Sequence, residues 1–195
     1  MECVVNVLKV KLIKTKGTWR DIADSARTTA GMEAGEGEPS SNWKRRMLLC
    51  EHSPIRQLII KWKWYDLKSW ISVHFVRHWL GIIHWVQSQR PDRGKSDNRD
   101  NSPQSELINH EAEANAQAII NISRKRLCLG NPMPETREAW KAFIESFKNI
   151  EPELYRCCVK DCIYKGWCYE YKSCGFHKTE KFQQELKNYR EGINV

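Results

Sequence analysis

Residues 70–90, WISVHFVRHWLGIIHWVQSQR, decide how this chain is read. Placed on a helix at about 100° per residue, Trp70, His74, Arg77, His78, Gly81 and Trp85 fall within one stripe. Phe75, Val76, Trp79, Ile82 and Ile83 take the other side. A surface helix ordinarily sends charge to water and apolar side chains to the core. Here the polar stripe itself carries tryptophan and a glycine that permits close approach, so the stretch reads as a pocket wall on one long helix. The plainer reading is a helix half in the core, its Arg77 and His78 merely solvated or paired, since most helical histidines do no chemistry.

The surrounding composition narrows the classes. A chain of 195 residues can bury one sizeable core, or one core and a small appendage. Its 41% hydrophobic and 29% charged content describes a soluble globular protein. No apolar run approaches the ~20 residues of a membrane span, and the start, MECVVNVLKVKLIK, is too charged for a secretory signal. The expectation is a cytoplasmic protein, in which eight cysteines are reduced thiols or metal ligands before they are disulfides. A net charge of +8 favours anionic partners, among them nucleic acid, nucleotides, flavin phosphates and folates. Nine tryptophans favour flat ligands.

Along the chain, residues 4–13 read as a strand and residues 19–29 as a short helix with Ile22, Ala23 and Ala26 on one face. Residues 31–42 are a loop by composition, and a helix restarts over 43–50 behind a Ser41 or Asn42 cap. Pro54 stops it. Residues 58–65 alternate Ile60, Trp62 and Trp64 against Lys61 and Lys63, the pattern of a half-buried strand. Residues 91–105 are a polar loop. Residues 111–128 read as a helix, with glutamates at its start and basic residues at its end, as the macrodipole favours. Residues 135–150 form an amphipathic helix burying Trp140, Phe143, Ile144 and Phe147, and residues 183–189 a last, charged one.

Three blocks resemble one family. HFVRHW followed by QSQR is similar to the defining segment of the flavin-dependent thymidylate synthases, R-H-R-x-x-S-x-N-x-x-S-x-R. Arg77 and His78 match its first two positions, and Ser88 and Arg90 match its end if one residue is inserted. Trp79 replaces the third basic residue, while Ile82, His84 and Trp85 stand where serine, asparagine and an acidic residue are usual. Ser53 of H-S-P matches the family's Ser or Thr before proline, which touches FAD, although Arg56 and Gln57 stand where Glu and His are usual. Without the resemblance Ser53 reads as a local turn or cap. Asn115, Gln117, Asn121 and Arg126 fit N-x-R-x-x-x-N-x-x-x-x-R without a gap, Gln replacing the first arginine.

The resemblance covers about residues 25–140 and implies an α+β fold of the thymidylate synthase-complementing-protein type. That is a sheet flanked by long helices, assembled as a homotetramer with sites between subunits. It divides the chain into a synthase-like domain, 1–150, and a cysteine-rich extension, 151–195. It implies FAD as cofactor, held by Ser53, Arg77, His78, Asn115, Gln117 and Asn121. A pyrimidine deoxynucleotide monophosphate is held by His74, Arg77, Ser88, Gln89, Arg90 and Arg126. Arg126 is the catalytic residue, stabilising charge that develops on the base. Methylenetetrahydrofolate is the co-substrate, giving one carbon to C5 of the pyrimidine, and reduced FAD the hydride source.

The altered motif centre of Trp79, His84 and Trp85 favours a changed reaction, with His84 placed to hydrogen-bond at C4 of the base. Some phage-encoded members convert dCMP to 5-hydroxymethyl-dCMP, and that is the preferred expectation, in the host cytoplasm if this chain is phage-encoded. Conversion of dUMP to dTMP is the alternative. A reading from another class is a basic, zinc-containing nucleic-acid-binding protein, colourless where the flavoprotein is yellow. The tail bears on that choice: Cys162, Cys168 and Cys174 recur every six residues, with Cys128, Cys158 and His177 to hand. The interval is wider than the usual C-x2-C pairs, which leaves structural metal, buried thiols and redox chemistry open and assigns no metal to the active site.

Overall fold

The computed structural model describes residues 9–93, 99–130 and 133–191. Its centre is a four-stranded antiparallel sheet, β1 (Lys9–Lys16), β2 (Ile59–Lys68), β3 (Ile82–Val86) and β4 (Leu107–Asn115), in the order β1-β2-β4-β3. Eight helices are described around it: α1 (Trp19–Thr29), α2 (Ser41–Leu49), α3 (Ser69–Val76), α4 (Ala116–Arg126), α5 (Pro134–Ser146), α6 (Pro152–Cys157), α7 (Asp161–Lys165) and α8 (Glu180–Arg190). The class is α+β, as expected. The longest described helix, α5, has 13 residues, so the flanking helices are shorter than the resemblance implied.

β2 owes its place to its alternation. Ile60, Trp62 and Trp64 are fully buried while Lys61 and Lys63 face outward. Trp62 stacks on Phe143 of α5 at 3.6 Å, and Trp64 stacks on Phe75 of α3 at 4.6 Å. The Trp64 indole N–H donates to the Ala139 carbonyl at 2.9 Å, so the buried polar atom is satisfied. α3 and α5 therefore cover one face of the sheet.

Two expectations about helix fail, and the site depends on both failures. Residues 111–115 are the end of β4: Ala112 and Ala114 lie inward, opposite Trp62 and Ile60 of β2. On the outer face Glu111 and Glu113 pair with Lys61 and Lys16, each at 2.7 Å. Small residues across from tryptophan, with charge pairs behind them, outweigh the helix propensity of Ala and Glu. The helix begins after Asn115, whose side chain caps it by accepting from the Ala118 N–H at 2.9 Å.

Residues 70–90 are likewise not one helix. α3 ends at Val76, a turn follows over 77–81, and the β-branched run after it pairs with β4 as the edge strand β3. Gly81 makes the turn possible, with φ +73 and no room for a Cβ, which would lie 2.7 Å from the Asn115 amide. The single stripe expected of this segment is thereby dissolved. His84 lies opposite Ala112, whereas Trp85, opposite Glu111, points to the other face beneath the Lys61 ammonium at 4.6 Å.

Elsewhere the pattern holds with small shifts. α1 matches its expected bounds, behind a Thr18–Asp21 capping box. α2 is capped by Ser40 rather than Ser41 or Asn42. β1 reaches Lys16, and residues 4–8 of the expected strand lie outside the described residues. The described part of 91–105 holds only two short 3-10 turns with nothing buried. The main core runs on into Leu154, Cys157 and Cys158, and a smaller one gathers Ile163, Phe176, Phe182, Leu186 and Tyr189. No described helix is long and apolar enough to cross a membrane.

Candidate active site

The turn after α3 runs along α4, touching Asn115 at its start through the Gly81 carbonyl and Arg126 at its end through His78. Arg126 Nε donates to His78 Nε2 at 2.9 Å, and the Arg126 Nη2 group donates to the His74 carbonyl at 2.5 Å. Burial, followed by the like charge of Arg77, draws Arg126 below the ordinary guanidinium range. Among the described residues its hydrogen-bond partners, the His78 ring and the His74 carbonyl, are uncharged. His78 is pushed down to about 4, first by burial, then by Arg126 and His84, so its Nε2 is a free acceptor for Arg126 at neutral pH. His74 is also lowered, by burial and then by Arg126 and Arg77, and its Nδ1 lies 2.9 Å from the Thr136 hydroxyl.

Behind this turn three side chains form a line. Ser72 Oγ is 3.0 Å from His110 Nδ1, His110 Nε2 is 2.9 Å from His84 Nδ1, and His84 Nε2 is 2.8 Å from the His78 carbonyl. A carbonyl only accepts, so His84 Nε2 carries the proton. His84 Nδ1 then accepts from His110 Nε2–H, and His110 Nδ1 accepts from the Ser72 hydroxyl. Neutral rings fit this order: burial pushes fully buried His110 down to about 3, and His84 is lowered by burial as well. The chain ends on the backbone of the residue that receives Arg126, so it fixes the turn.

The opposite face of α4 is closed by an acid. Gln117 Nε2 donates to Glu51 Oε2 at 2.5 Å and to Asn121 Oδ1 at 3.3 Å, and Arg124 donates to Asn121 Oδ1 at 3.1 Å. Arg124 also forms an ion pair with Glu51 and lies 3.4 Å over the Tyr164 ring. Glu51 is held below the ordinary carboxylate range by Arg124 and Gln117, against the opposing effect of its burial. Two buried nitrogens, His52 Nδ1, next in sequence to Glu51, and Arg124 Nε, have no hydrogen-bond partner among the described residues.

No family model matches the sequence, and no curated protein matches it. Solved structures do match. Thymidylate synthase X (ThyX) from Helicobacter pylori, with FAD and dUMP, superposes with TM-score 0.62 at 14% identity, over 78% of this chain and 99% of that one. The UMP/dUMP methylase PolB from Streptomyces cacaoi, bound with 5-Br dUMP, gives TM-score 0.62 at 13% identity, over 78% of this chain and 97% of that one. The fold is that of the flavin-dependent thymidylate synthase ThyX.

On this ThyX-like fold the residues singled out from sequence fall into three places. His74, Arg77, His78 and Arg126 come together at the end of α3 and of α4. Gln117 and Asn121 join Glu51 and Arg124 on the other face, Ser53 stands exposed at the head of the 3-10 turn Ser53–Gln57, and Asn115 is committed to its cap. Ser88, Gln89 and Arg90 follow β3 and bond locally: Ser88 Oγ accepts from the Arg90 N–H, Gln89 donates to Glu106, and Arg90 pairs with Asp92. The expected hydrogen bond from His84 to a base is corrected, because both its ring nitrogens are engaged by the protein.

Sequence reading missed Ser72, His110 and Glu51, whereas helical spacing sets Arg124 on the face of Gln117 and Asn121, where it is found. His110 alone had a legible signal, one imidazole at an inward position of an alternating strand opposite Trp64. A cleft of ≈ 450 Å³ between α1 and residues 32–43 contains none of these residues.

Proposed function

We propose that the protein is an FAD-dependent enzyme that transfers a one-carbon unit from methylenetetrahydrofolate to C5 of a pyrimidine deoxynucleotide monophosphate. The observation that carries this reading is Arg126, half-buried at the end of α4 and gripped by a neutral imidazole and a carbonyl, with its positive charge left for a ligand. Its likeness to structures solved with FAD, dUMP and 5-Br dUMP supplies the chemical class.

The chain's residues fit such a cofactor. The partnerless His52 Nδ1 and Arg124 Nε lie with Ser53, Gln117 and Asn121, a polar set that a flavin nucleotide satisfies. The neighbouring charges of Arg77 and Arg126 call for an anion between them. Bound FAD supplies the hydride. Ser53, Gln117 and Asn121 hold it, joined by Asn115 through the side-chain NH2 that its cap does not use, with Arg77 and His78 at its border with the nucleotide. His74, Arg77, Ser88, Gln89 and Arg90 bind phosphate and sugar. Arg126 faces the base, and negative charge developing on the ring is stabilised by a guanidinium that the His78 ring and the His74 carbonyl keep from rotating.

Ser88, Gln89 and Arg90 lie beyond an edge strand, open to a neighbouring subunit, and in the homotetramer proposed here they serve that subunit's site. The surface beside them supports this: Trp79 (74% exposed) and Leu80 (70%) stand out on the turn before β3, and Ile83 (56%) and Trp85 lie exposed on the outer side of that strand, apolar residues of the kind that subunits cover.

The preferred reaction is hydroxymethylation of dCMP, supported by the departure of Trp79 from the family motif and not by any contact from His84, whose ring nitrogens are both engaged, or from Trp85, which faces Lys61. Methylation of dUMP to dTMP is the second reading, favoured by the neighbours' uracil ligands. Purified protein should be yellow, and incubation with the folate and each nucleotide in turn separates the two products. Turnover of dUMP with dCMP untouched removes the preferred reading, and a colourless protein inert toward both removes the enzyme.

A further inference from the structure

The cysteine-rich tail takes no part in the chemistry above, yet the fold gathers it with the end of α4. Cys128 follows α4, Cys162 lies in α7, and Cys168 and Cys174 come from the irregular stretch between α7 and the 3-10 turn Phe176–Lys178. All four line one cavity of ≈ 10 Å³, room for a single small sphere. They lie within one another's fields: Cys162 is pushed up to about 11, first by burial and then by Cys128, with Cys168 and Cys174 adding. Cys128 is raised by burial, with Glu170, Cys174 and Cys168 adding. A Cβ placed on Gly130 would be 3.7 Å from Cys128 Sγ and 3.8 Å from Cys174 Cβ, so these two segments flank the same glycine. Among the described residues none of the four is in a disulfide.

The stretch they hold has little else to hold it. Residues 166–175 contain no helix or strand, and Trp167, Tyr169 and Tyr171 are exposed, so burial of its aromatic rings does not anchor it. The core beneath comprises five buried residues, a size at which small lobes rely on cross-links or metals. His177 also lines the cavity, but its Nδ1 is 3.0 Å from the Ser173 hydroxyl and its ring packs edge-on to Trp167. Asp161 and Glu170 line it too, but Asp161 is paired with Lys165 at 2.8 Å and Glu170 with Lys125 at 3.4 Å, which leaves the thiols as the donors without a charged partner.

We infer that Cys128, Cys162, Cys168 and Cys174 bind one zinc ion as a tetrahedral thiolate set that staples residues 166–175 to the ends of α4 and α7. As neutral thiols they stand wider than ligands do: among the described residues no group of three or more His, Cys, Asp or Glu is arranged to hold a metal ion. Binding closes them around the metal and replaces each S–H by a Zn–S bond of about 2.3 Å. Four protons pass to solvent, and the metal stays divalent. The set then carries two negative charges. Lys125, 3.4 Å from Glu170, and Lys165, 2.8 Å from Asp161, stand around it, and Lys160 acts on Cys162. Cys157 and Cys158 are separate, buried in the main core and absent from the lining of this cavity.

The test is independent of any flavin. Full-length protein, expressed with zinc in the medium and dialysed, should retain one zinc per chain by elemental analysis. Exchange with cobalt should give the intense sulfur-to-metal bands of a tetrahedral thiolate set. Cys168→Ser and Cys174→Ser, in a stretch outside both cores, should lose at least nine-tenths of the metal and keep the helical circular dichroism. Exposed Cys50→Ser should retain it. Zinc-free protein whose four thiols all react in the native state overturns the inference, as does full zinc content in both loop variants.

Discussion

The two faces of α4 carry an arginine each, two residues apart, and meet opposite fates. Arg124 is neutralised: Glu51 pairs with it, Asn121 accepts from it and Tyr164 stacks on it. Arg126 is gripped as firmly, by His78 and the His74 carbonyl, but by groups that carry no charge. One arginine is spent on the fold and the other is held ready for an anion, a division that burial alone would not reveal. Substitution should therefore separate them. Arg126→Ala should lower turnover by about 10²–10³-fold while leaving thermal stability close to that of the parent chain. Arg126→Lys should not rescue it, because an ammonium cannot hold His78 and the carbonyl and still present a planar fork. Equal turnover in the Ala variant would end the contrast.

Arg124→Ala should do the reverse in kind, leaving the Glu51 carboxylate partly buried beside Gln117 without its cation. The expected loss is about 1–3 kcal/mol of stability, read from denaturant unfolding. Flavin binding should weaken as well, because the substitution removes Arg124 Nε, one of the partnerless atoms offered to the cofactor, and loosens the Gln117–Asn121 face. A variant as stable as the parent would show that Glu51 is not what Arg124 is for.

How far these faces were legible differs along the chain. The alternation of Ile60, Trp62 and Trp64 set β2 correctly, and the gap-free spacing of Gln117, Asn121 and Arg126 falls on one helix, α4, with the first two on one face and Arg126 on the other. What misled was local propensity. Residues 111–115 look helical until Lys16 and Lys61 are brought across from other strands, and residues 77–86 look helical until Gly81 turns against Asn115. Glu51 and Ser72 were invisible for the same reason: each acts on a residue more than 35 positions away, and sequence spacing says nothing of such pairs.

The histidines offer a smaller effect that sharpens the same comparison through pH. His78 and His110 are held at about 4 and about 3, below the ordinary imidazole value of 6.5, so the folded chain resists protons that the unfolded chain binds. The stability this represents is complete above about pH 6.5 and is lost as pH falls toward those folded values. Between pH 7 and 5, before most carboxylates titrate, the melting temperature should decline. His110→Gln should flatten the decline, and an unchanged slope would place the proton uptake elsewhere.

The smallest expected change is at Ser72. Its hydroxyl donates to His110 Nδ1 in a fully buried line, so Ser72→Ala removes one donor and leaves one acceptor unpaired, a cost of about 1–2 kcal/mol. Loss of packing alone would weaken the fold and leave the proton positions unchanged. If the hydroxyl sets the order of the line, nitrogen-detected NMR should find a single tautomer at His110 and His84 in the parent chain, protonated at Nε2 in both. In Ser72→Ala, His110 is released to place its proton on either nitrogen. When it sits on Nδ1, His84 loses its donor, and the His78 carbonyl loses the fixed ring that oriented it toward the Arg126 turn. A parent chain with mixed tautomers would mean that the line is only a set of contacts, and that the turn bearing His78 is held by Gly81 and Asn115 instead.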